Sequence, residues 1–274
     1  MTTAFVLGGG GVLGAVEVGM LRALFEAGVT PELVLGTSVG ALNGALVARD
    51  PTPAVVERLT DLWRGVAESR GSGYAERTLP AVRRAVATGT HLYSPQPMRQ
   101  RLEEEFGDLR FEDLAVQFQV CAASIERAAE HWFDSGRVVD AVVASAAVPG
   151  LLPPAKVGDE HFLDGGIVNS IPLARAVLLG ATRVFVLQVG RIDRPLKPPK
   201  RPWEVARVSF EIARRHRFVR ELAELPDGVE CHVLPARGTS GRDDTIRAAR
   251  DFGSVQRRID ETYDASSAYL KAVL

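Results

Sequence analysis

The chain has 274 residues, with 33 basic against 34 acidic side chains and a net charge of −1. That balance excludes a protein built throughout to coat nucleic acid, and a hydrophobic share of 46% excludes a disordered chain. Two cysteines, Cys121 and Cys231, are too few for a disulfide framework or a four-ligand zinc site.

A short apolar run at 4–7 stops at glycines and reads as a buried strand. Residues 15–27 set Val18, Leu21, Leu24 and Phe25 at helical spacing until Gly28 ends the pattern. A strand at 33–35 and a small-residue apolar helix at 39–48 follow. This strand–helix–strand–helix opening predicts a parallel sheet covered by helices. Helices are predicted at 55–66, 80–87 and 97–106, with an exposed Gly/Ser/Arg-rich loop at 69–78. Strands are predicted at 118–123 and 131–133, then a small-residue helix at 138–147 ended by Val148-Pro149-Gly150. A strand at 161–163, a helix at 173–179 and a strand at 183–189 come next. Residues 191–220 carry ten Lys/Arg against three Asp/Glu, in a proline-rich connector and a helix expected at 203–224. A strand at 229–234 and a helix at 255–270 close the chain. The expected fold is α/β, a three-layer arrangement with a mainly parallel sheet between helices. One domain is expected over 1–274, with a motif-bearing part at 4–190 and a basic extension at 191–274. No run approaches about 18 apolar residues, so no membrane span is predicted. The N-terminus lacks the basic start of a signal peptide. The expected location is cytoplasmic, at most peripheral at a membrane.

Three motifs carry chemistry. The first is Gly8-Gly9-Gly10-Gly11-Val12-Leu13-Gly14, between the first strand and the first helix. Backbone N–H groups at a helix start attract negative charge, whether a phosphate or a developing oxyanion. Gly9, Gly11 and Gly14 also match the dinucleotide fingerprint, and a tight turn without ligand would use the same glycines. The second is Gly36-Thr37-Ser38-Val39-Gly40, which follows a strand and opens an apolar helix. A strand–turn–helix of this pattern exposes a serine hydroxyl at a sheet edge, although a capping serine flanked by glycines looks alike. The third is Asp164-Gly165-Gly166, at a strand end, where an ordinary turn is the plainer reading. Together they place a hydroxyl, a carboxylate and backbone donors at the C-terminal edge of one sheet, where ligand sites gather.

From Phe5 to about Gly190 the chain resembles the patatin-like phospholipases. The resemblance rests on the glycine-rich start and on Gly-Thr-Ser-Val-Gly followed by Ala-Leu-Asn. It extends to Ser94-Pro95-x-Pro97-Met98, to 144–150 (Ala-Ser-Ala-Ala-Val-Pro-Gly), and to Asp164-Gly165-Gly166 with Asn169 and Pro172. It implies a patatin-like fold and lipid acyl-ester hydrolysis by a Ser–Asp dyad without histidine or cofactor. It assigns Ser38 as nucleophile, Asp164 as proton acceptor, and the N–H groups of Gly9, Gly10 and Gly11 as oxyanion hole. Gly14, Gly36, Gly40, Gly165 and Gly166 support the motifs. No metal is implied. The family's usual Arg or Lys before the last glycine of the first motif is Leu13 here, which removes a cation near the site.

A Ser-Asp-His triad would need a histidine after Asp164 at a strand end, and His232 alone fits that position. Alternation sets it opposite Val229, Cys231 and Val233. In the 203–224 helix, Val205, Val208, Ile212, Val219 and Leu222 lie near helical spacing, with Arg207, Arg214, Arg217 and Arg220 among the remainder. This pattern suits a core-packed helix with a solvated basic face. Alternatively, 197–220 presents a surface to anionic membrane, with Lys197, Lys200, Arg201 and Trp203 contributing. The expected partner is a lipid ester, and no nucleic acid is expected. The rival reading is a dinucleotide-binding oxidoreductase using the Gly9–Gly14 loop. It wants an acidic residue after the second strand, where this chain has Gly36-Thr37-Ser38. A catalytically silent lipid-binding relative is the third reading.

Overall fold

In the computed structural model, which describes residues 1–69, 89–189, 195–200, 202–236 and 252–274, the short apolar runs become strands covered on both faces. The eight strands among the described residues are β1 (Thr3–Leu7), β2 (Leu33–Thr37), β3 (Gln117–Ser124), β4 (Ala129–Phe133), β5 (Ala155–Val157), β6 (Glu160–Asp164), β7 (Arg183–Leu187) and β8 (Glu230–Val233). The helices are α1 (Ala15–Glu26), α2 (Val39–Arg49), α3 (Ala54–Ser69), α4 (Gln96–Phe106), α5 (Val138–Ser145), α6 (Gly166–Asn169), α7 (Leu173–Leu178), α8 (Pro202–Ala223) and α9 (Phe252–Val273). Strand alternation divides the core into two layers. Phe5, Leu7, Val34, Phe185 and Leu187 pack with Val16, Leu46, Leu59 and Ile259 of α1, α2, α3 and α9. Ala4, Val6, Leu33, Leu35 and Val186 pack on the opposite face with Leu173, Ala176 and Phe218 of α7 and α8.

The sheet runs β5-β6-β3-β2-β1-β7-β8, with β4 also on β3. Pairing is parallel from β3 through β2, β1 and β7 to β8, and antiparallel at β4, β5 and β6. β3 carries three partners on two edges. β4 takes one edge over Val120–Ser124, so β2 and β6 share the other. β2 ends there with Thr37 opposite Cys121, and β6 arrives from the other direction with Asp164 opposite Ala122. The C-terminal ends of β2 and β6 therefore meet head to head, at consecutive positions of β3.

α2 lies directly on the strands that precede it because two side chains are missing. A Cβ on Gly40 would sit 2.2 Å from the Leu7 carbonyl oxygen, and one on Gly36 2.5 Å from the Gly40 carbonyl oxygen. On the same face, α9 crosses α1 backbone to backbone at Gly19, where a Cβ would sit 2.2 Å from the Ile259 carbonyl oxygen.

The structure departs from the sequence reading at several points. β5 and the one-turn α6 were not expected, being three and four residues long. The helix expected at 80–87, and all but the first residue of the loop expected at 69–78, lie outside the described residues. The α8 helix is turned the opposite way from its apolar pattern. Val205, Ile212 and Val219 face outward, 49%, 55% and 55% exposed, whereas Arg214 is buried and Arg217 half-buried. The arginines turn inward because acceptors wait there. Arg214 Nη2 donates to the Val189 carbonyl, and Arg217 reaches a carbonyl and two carboxylates. Phe218 and Phe210 supply apolar contact between them. Among the described residues no helix is long and apolar enough to cross a membrane.

Candidate active site

Where β2 and β6 meet, Ser38 Oγ donates a hydrogen bond to Asp164 Oδ2 at 2.6 Å, 126 residues apart in sequence. Both residues are buried, at 6% and 2% exposure, so water does not compete for the contact. Ser38 stands between β2 and α2 with φ 55° and ψ −119°, in the left-handed half of backbone space that a residue with a Cβ avoids. Holding a non-glycine residue there costs on the order of 1–3 kcal/mol, which surrounding contacts must offset. One of these comes from Ser145, the last residue of α5. Its Oγ accepts the Ser38 N–H at 2.7 Å and donates to the Cys121 carbonyl at 2.5 Å. The end of α5 also receives the other half of the site. Asp164 N–H donates to the Ala147 carbonyl at 2.9 Å, and Gly165 N–H to the Ser145 carbonyl at 3.2 Å. Ser145 belongs to a stretch quoted above for the resemblance, yet spacing alone assigned it no task.

Asp164 accepts a second hydrogen bond, from Gly166 N–H to Oδ1 at 2.8 Å. Burial raises its carboxyl from the ordinary 3.8 to about 6, against the lowering pull of the Ser38 and Gly166 hydrogen bonds. Gly165 packs against β3, with a Cβ position only 2.2 Å from the Cys121 carbonyl oxygen. Thr37 Oγ1 donates to the Asn169 carbonyl at 2.8 Å, which ties the residue before Ser38 to the end of α6.

The glycine turn lies across from Ser38. A Cβ on Gly9 would sit 3.5 Å from Ser38 Cβ and 3.1 Å from Ser170 Oγ. Here the expectation of three donors needs amending. Gly9 N–H already donates to the Ser170 carbonyl at 2.9 Å. The N–H groups of Gly10 and Gly11 have no acceptor among the described residues, and Gly11 takes φ 56°, which a glycine adopts without strain. A Cβ on Gly14 would collide with Val39 and Trp63 side chains, at 2.2 and 2.4 Å, so the turn presses onto α2 and α3. Beneath it, Asn43 Nδ2 donates to the Gly14 carbonyl at 3.0 Å and to Glu17 Oε2 at 2.7 Å, and accepts the Trp63 indole N–H on Oδ1 at 3.1 Å. Glu17 is fully buried, and burial pushes its carboxyl well above the usual range. Leu13, in the place of the family's cation, packs half-buried against the core.

No histidine bonds to Ser38 or Asp164 among the described residues. His232 lies on β8, where its ring stacks on Phe185 at 4.9 Å and its Nδ1 is 3.3 Å from the Tyr269 hydroxyl. His161 pairs with Glu126 at 2.8 Å, and His131 packs edge-on against Phe133.

The patatin-like phospholipase family profile matches residues 5–177, which spans every residue of this arrangement from Gly9 to Gly166. The lysophospholipase nte1 of Aspergillus terreus is 32% identical over 192 residues, 70% of this chain and 12% of that protein. The lysophospholipase nte1 of Emericella nidulans is 34% identical over 188 residues, 69% of this chain and 12% of that protein. The chain thus spans about an eighth of the length of these curated relatives. Among solved structures, VipD from Legionella pneumophila superposes with a TM-score of 0.53 over 99% of this chain and 67% of its own, at 14% identity, which supports the fold.

Proposed function

This chain belongs to the patatin-like phospholipase family, and from that premise we propose that it is a serine acyl hydrolase cleaving lipid acyl esters through Ser38 and Asp164. The reading rests on one observation above all. A serine in strained, left-handed backbone donates a short buried hydrogen bond to a carboxylate, and no histidine among the described residues is hydrogen-bonded to either.

In the first half-reaction, Ser38 Oγ bonds to the acyl carbon while Asp164 Oδ2 takes its proton. The carbonyl oxygen becomes an oxyanion held by the N–H groups of Gly10 and Gly11, each worth about 3 kcal/mol in comparable sites. Collapse breaks the ester bond, and the departing alkoxide leaves as an alcohol with the proton from Asp164. In the second half-reaction, water gives its proton to Asp164 and attacks the acyl carbon. Collapse then frees the fatty acid, and Ser38 Oγ recovers the proton. An ordinary carboxylate is a weak base at neutral pH, and a pKa of about 6 narrows the gap to the hydroxyl it must deprotonate.

The oxidoreductase reading lacks its acidic ribose partner. β2 ends in Thr37, whose hydroxyl is committed to the Asn169 carbonyl. The chain 1–274 acts in this proposal as one unit, with the lipid surface met by α8 and the connector before it. Val205, Ile212 and Val219, seven residues apart, form an exposed apolar stripe there, and Lys197, Lys200 and Arg220 are exposed as well. Lysophospholipid and phospholipid hydrolysis, measured beside short nitrophenyl esters for wild type and Ser38→Ala, tests the proposal. Fatty-acid release by wild type and none by the variant is the expected result. Equal release by a folded Ser38→Ala protein would overturn it.

A further inference from the structure

We infer that Arg217, on α8, is a positioning residue that holds the Asp164 turn in register with Ser38. The inference rests on the Ser38–Asp164 reading and extends it to a part of the chain beyond the family-matched segment.

The turn after Asp164 continues into α6, which has four residues. One helical turn cannot stabilise itself, because nucleation costs more than so few hydrogen bonds return. Its position must come from tertiary partners. Arg217 supplies them in a fan. Nη1 donates to the Val168 carbonyl at 2.7 Å, Nη2 to Glu130 Oε2 at 3.0 Å, and Nε to Glu221 Oε1 at 2.7 Å. Glu130 in turn accepts from Asn169 Nδ2 at 3.2 Å. The Asn169 carbonyl accepts the Thr37 hydroxyl, one residue before Ser38. The guanidinium thus grips α6 directly through Val168 and indirectly through Glu130, and the far end of that grip is the residue beside the nucleophile. The same helix touches the turn again at Phe210, whose ring lies 2.5 Å from where a Gly166 Cβ would be. α8 is itself fixed independently, by buried Arg214 on the Val189 carbonyl. Three acceptors met by Nε, Nη1 and Nη2 use the planar arginine fork, whose fixed donor directions a lysine ammonium at 217 would not reproduce.

Arg217 and Glu130 side chains are about a third exposed, at 32% and 35%, so either can be replaced in a folded protein. Hydrolysis of 4-nitrophenyl butyrate is measured for wild type, Arg217→Met, Glu130→Gln and Ser38→Ala, with Leu270→Ala as a purely structural comparison. Leu270 is buried on α9, a helix that packs mainly on α1 and α3. Arg217→Met should lower kcat about tenfold with KM within about twofold, and Glu130→Gln should lower kcat about threefold, since only the transition state needs the register. Leu270→Ala should lower the melting temperature at least as far while keeping kcat within about twofold at a temperature where both proteins are folded. An Arg217→Met protein with wild-type kcat, or a kcat loss that Leu270→Ala shares, would overturn the positioning role while leaving an inactive Ser38→Ala to support the dyad. A fully active Ser38→Ala would overturn the dyad and this inference together.

Discussion

At Asp164, burial works against the charge that the chemistry needs. The folded carboxyl titrates at about 6 and an unfolded one near 3.8, so the native state binds this proton more tightly. Its contribution to stability is therefore full below about pH 4 and lost as pH rises through about 6. Two expectations follow with opposite signs. The kcat/KM of wild type should fall with acid, with a midpoint near 6, as the base becomes protonated; a flat profile from about pH 5 to 8 would contradict this. Asp164→Asn should be more stable than wild type at about pH 8, by up to about 3 kcal/mol, and no more stable near about pH 3. Urea denaturation at the two pH values reads the difference directly. Ser145 makes the contrasting case, a small residue that costs nothing to bury because both its hydrogen bonds are made. Ser145→Ala leaves the Ser38 N–H and the Cys121 carbonyl without that partner, which should cost about 1–3 kcal/mol in thermal unfolding and lower kcat more than it raises KM. No composition or spacing rule singles out this serine, because its role exists only once α5, β2 and β3 are assembled. The commitment of the Gly9 amide to Ser170 was illegible for the same reason.

At the scale of elements, missing side chains set how closely helices lie on the sheet. Gly40→Ala would drive a Cβ into the Leu7 carbonyl, where backbone on both sides cannot yield. That variant should lose more than about 3 kcal/mol or fail to accumulate as soluble protein. Gly65→Ala, on α3 with nothing within 4 Å of the added atom, should instead gain about 0.5–1 kcal/mol from helix propensity. Equal melting temperatures for the two would contradict the close-approach argument. Most strands and helices were readable from apolar runs and periodicity, since β1, β2 and β7 are covered on both faces and α1 is buried at every residue but Arg22 and Glu26. The orientation of α8 was not. Periodicity fixes that a helix has two faces, but which one is buried depended on the carbonyls and carboxylates that receive Arg214 and Arg217. β5 and α6 are too short to carry a period.

For the molecule as a whole, the near-neutral net charge conceals a local excess of basic residues. That excess divides into two roles. Arg214 and Arg217 are turned inward, and Lys197, Lys200 and Arg220 are exposed, as are Val205, Ile212 and Val219. A surface of this kind should bind vesicles containing phosphatidylglycerol more tightly than pure phosphatidylcholine, with a preference that salt weakens. Replacing Ile212 and Val219 together by Asp should lower vesicle binding in a sedimentation assay by about tenfold or more. Binding that ignores both lipid charge and these substitutions would remove α8 from the lipid surface. The meeting of β2 and β6 on one edge of β3 is likewise a property of the whole sheet. It joins residues 126 apart in sequence, and the motifs pointed to the two partners without revealing how the strands would bring them together.

The most direct test is the rate at which a fluorophosphonate modifies the protein, followed by peptide mass mapping across the pH range. The account requires a single adduct on Ser38, forming with a rate that falls through about pH 6, and strongly slowed in Asp164→Asn. An adduct on another residue, or labelling of Ser38 at an undiminished rate in the Asp164→Asn protein, would contradict it.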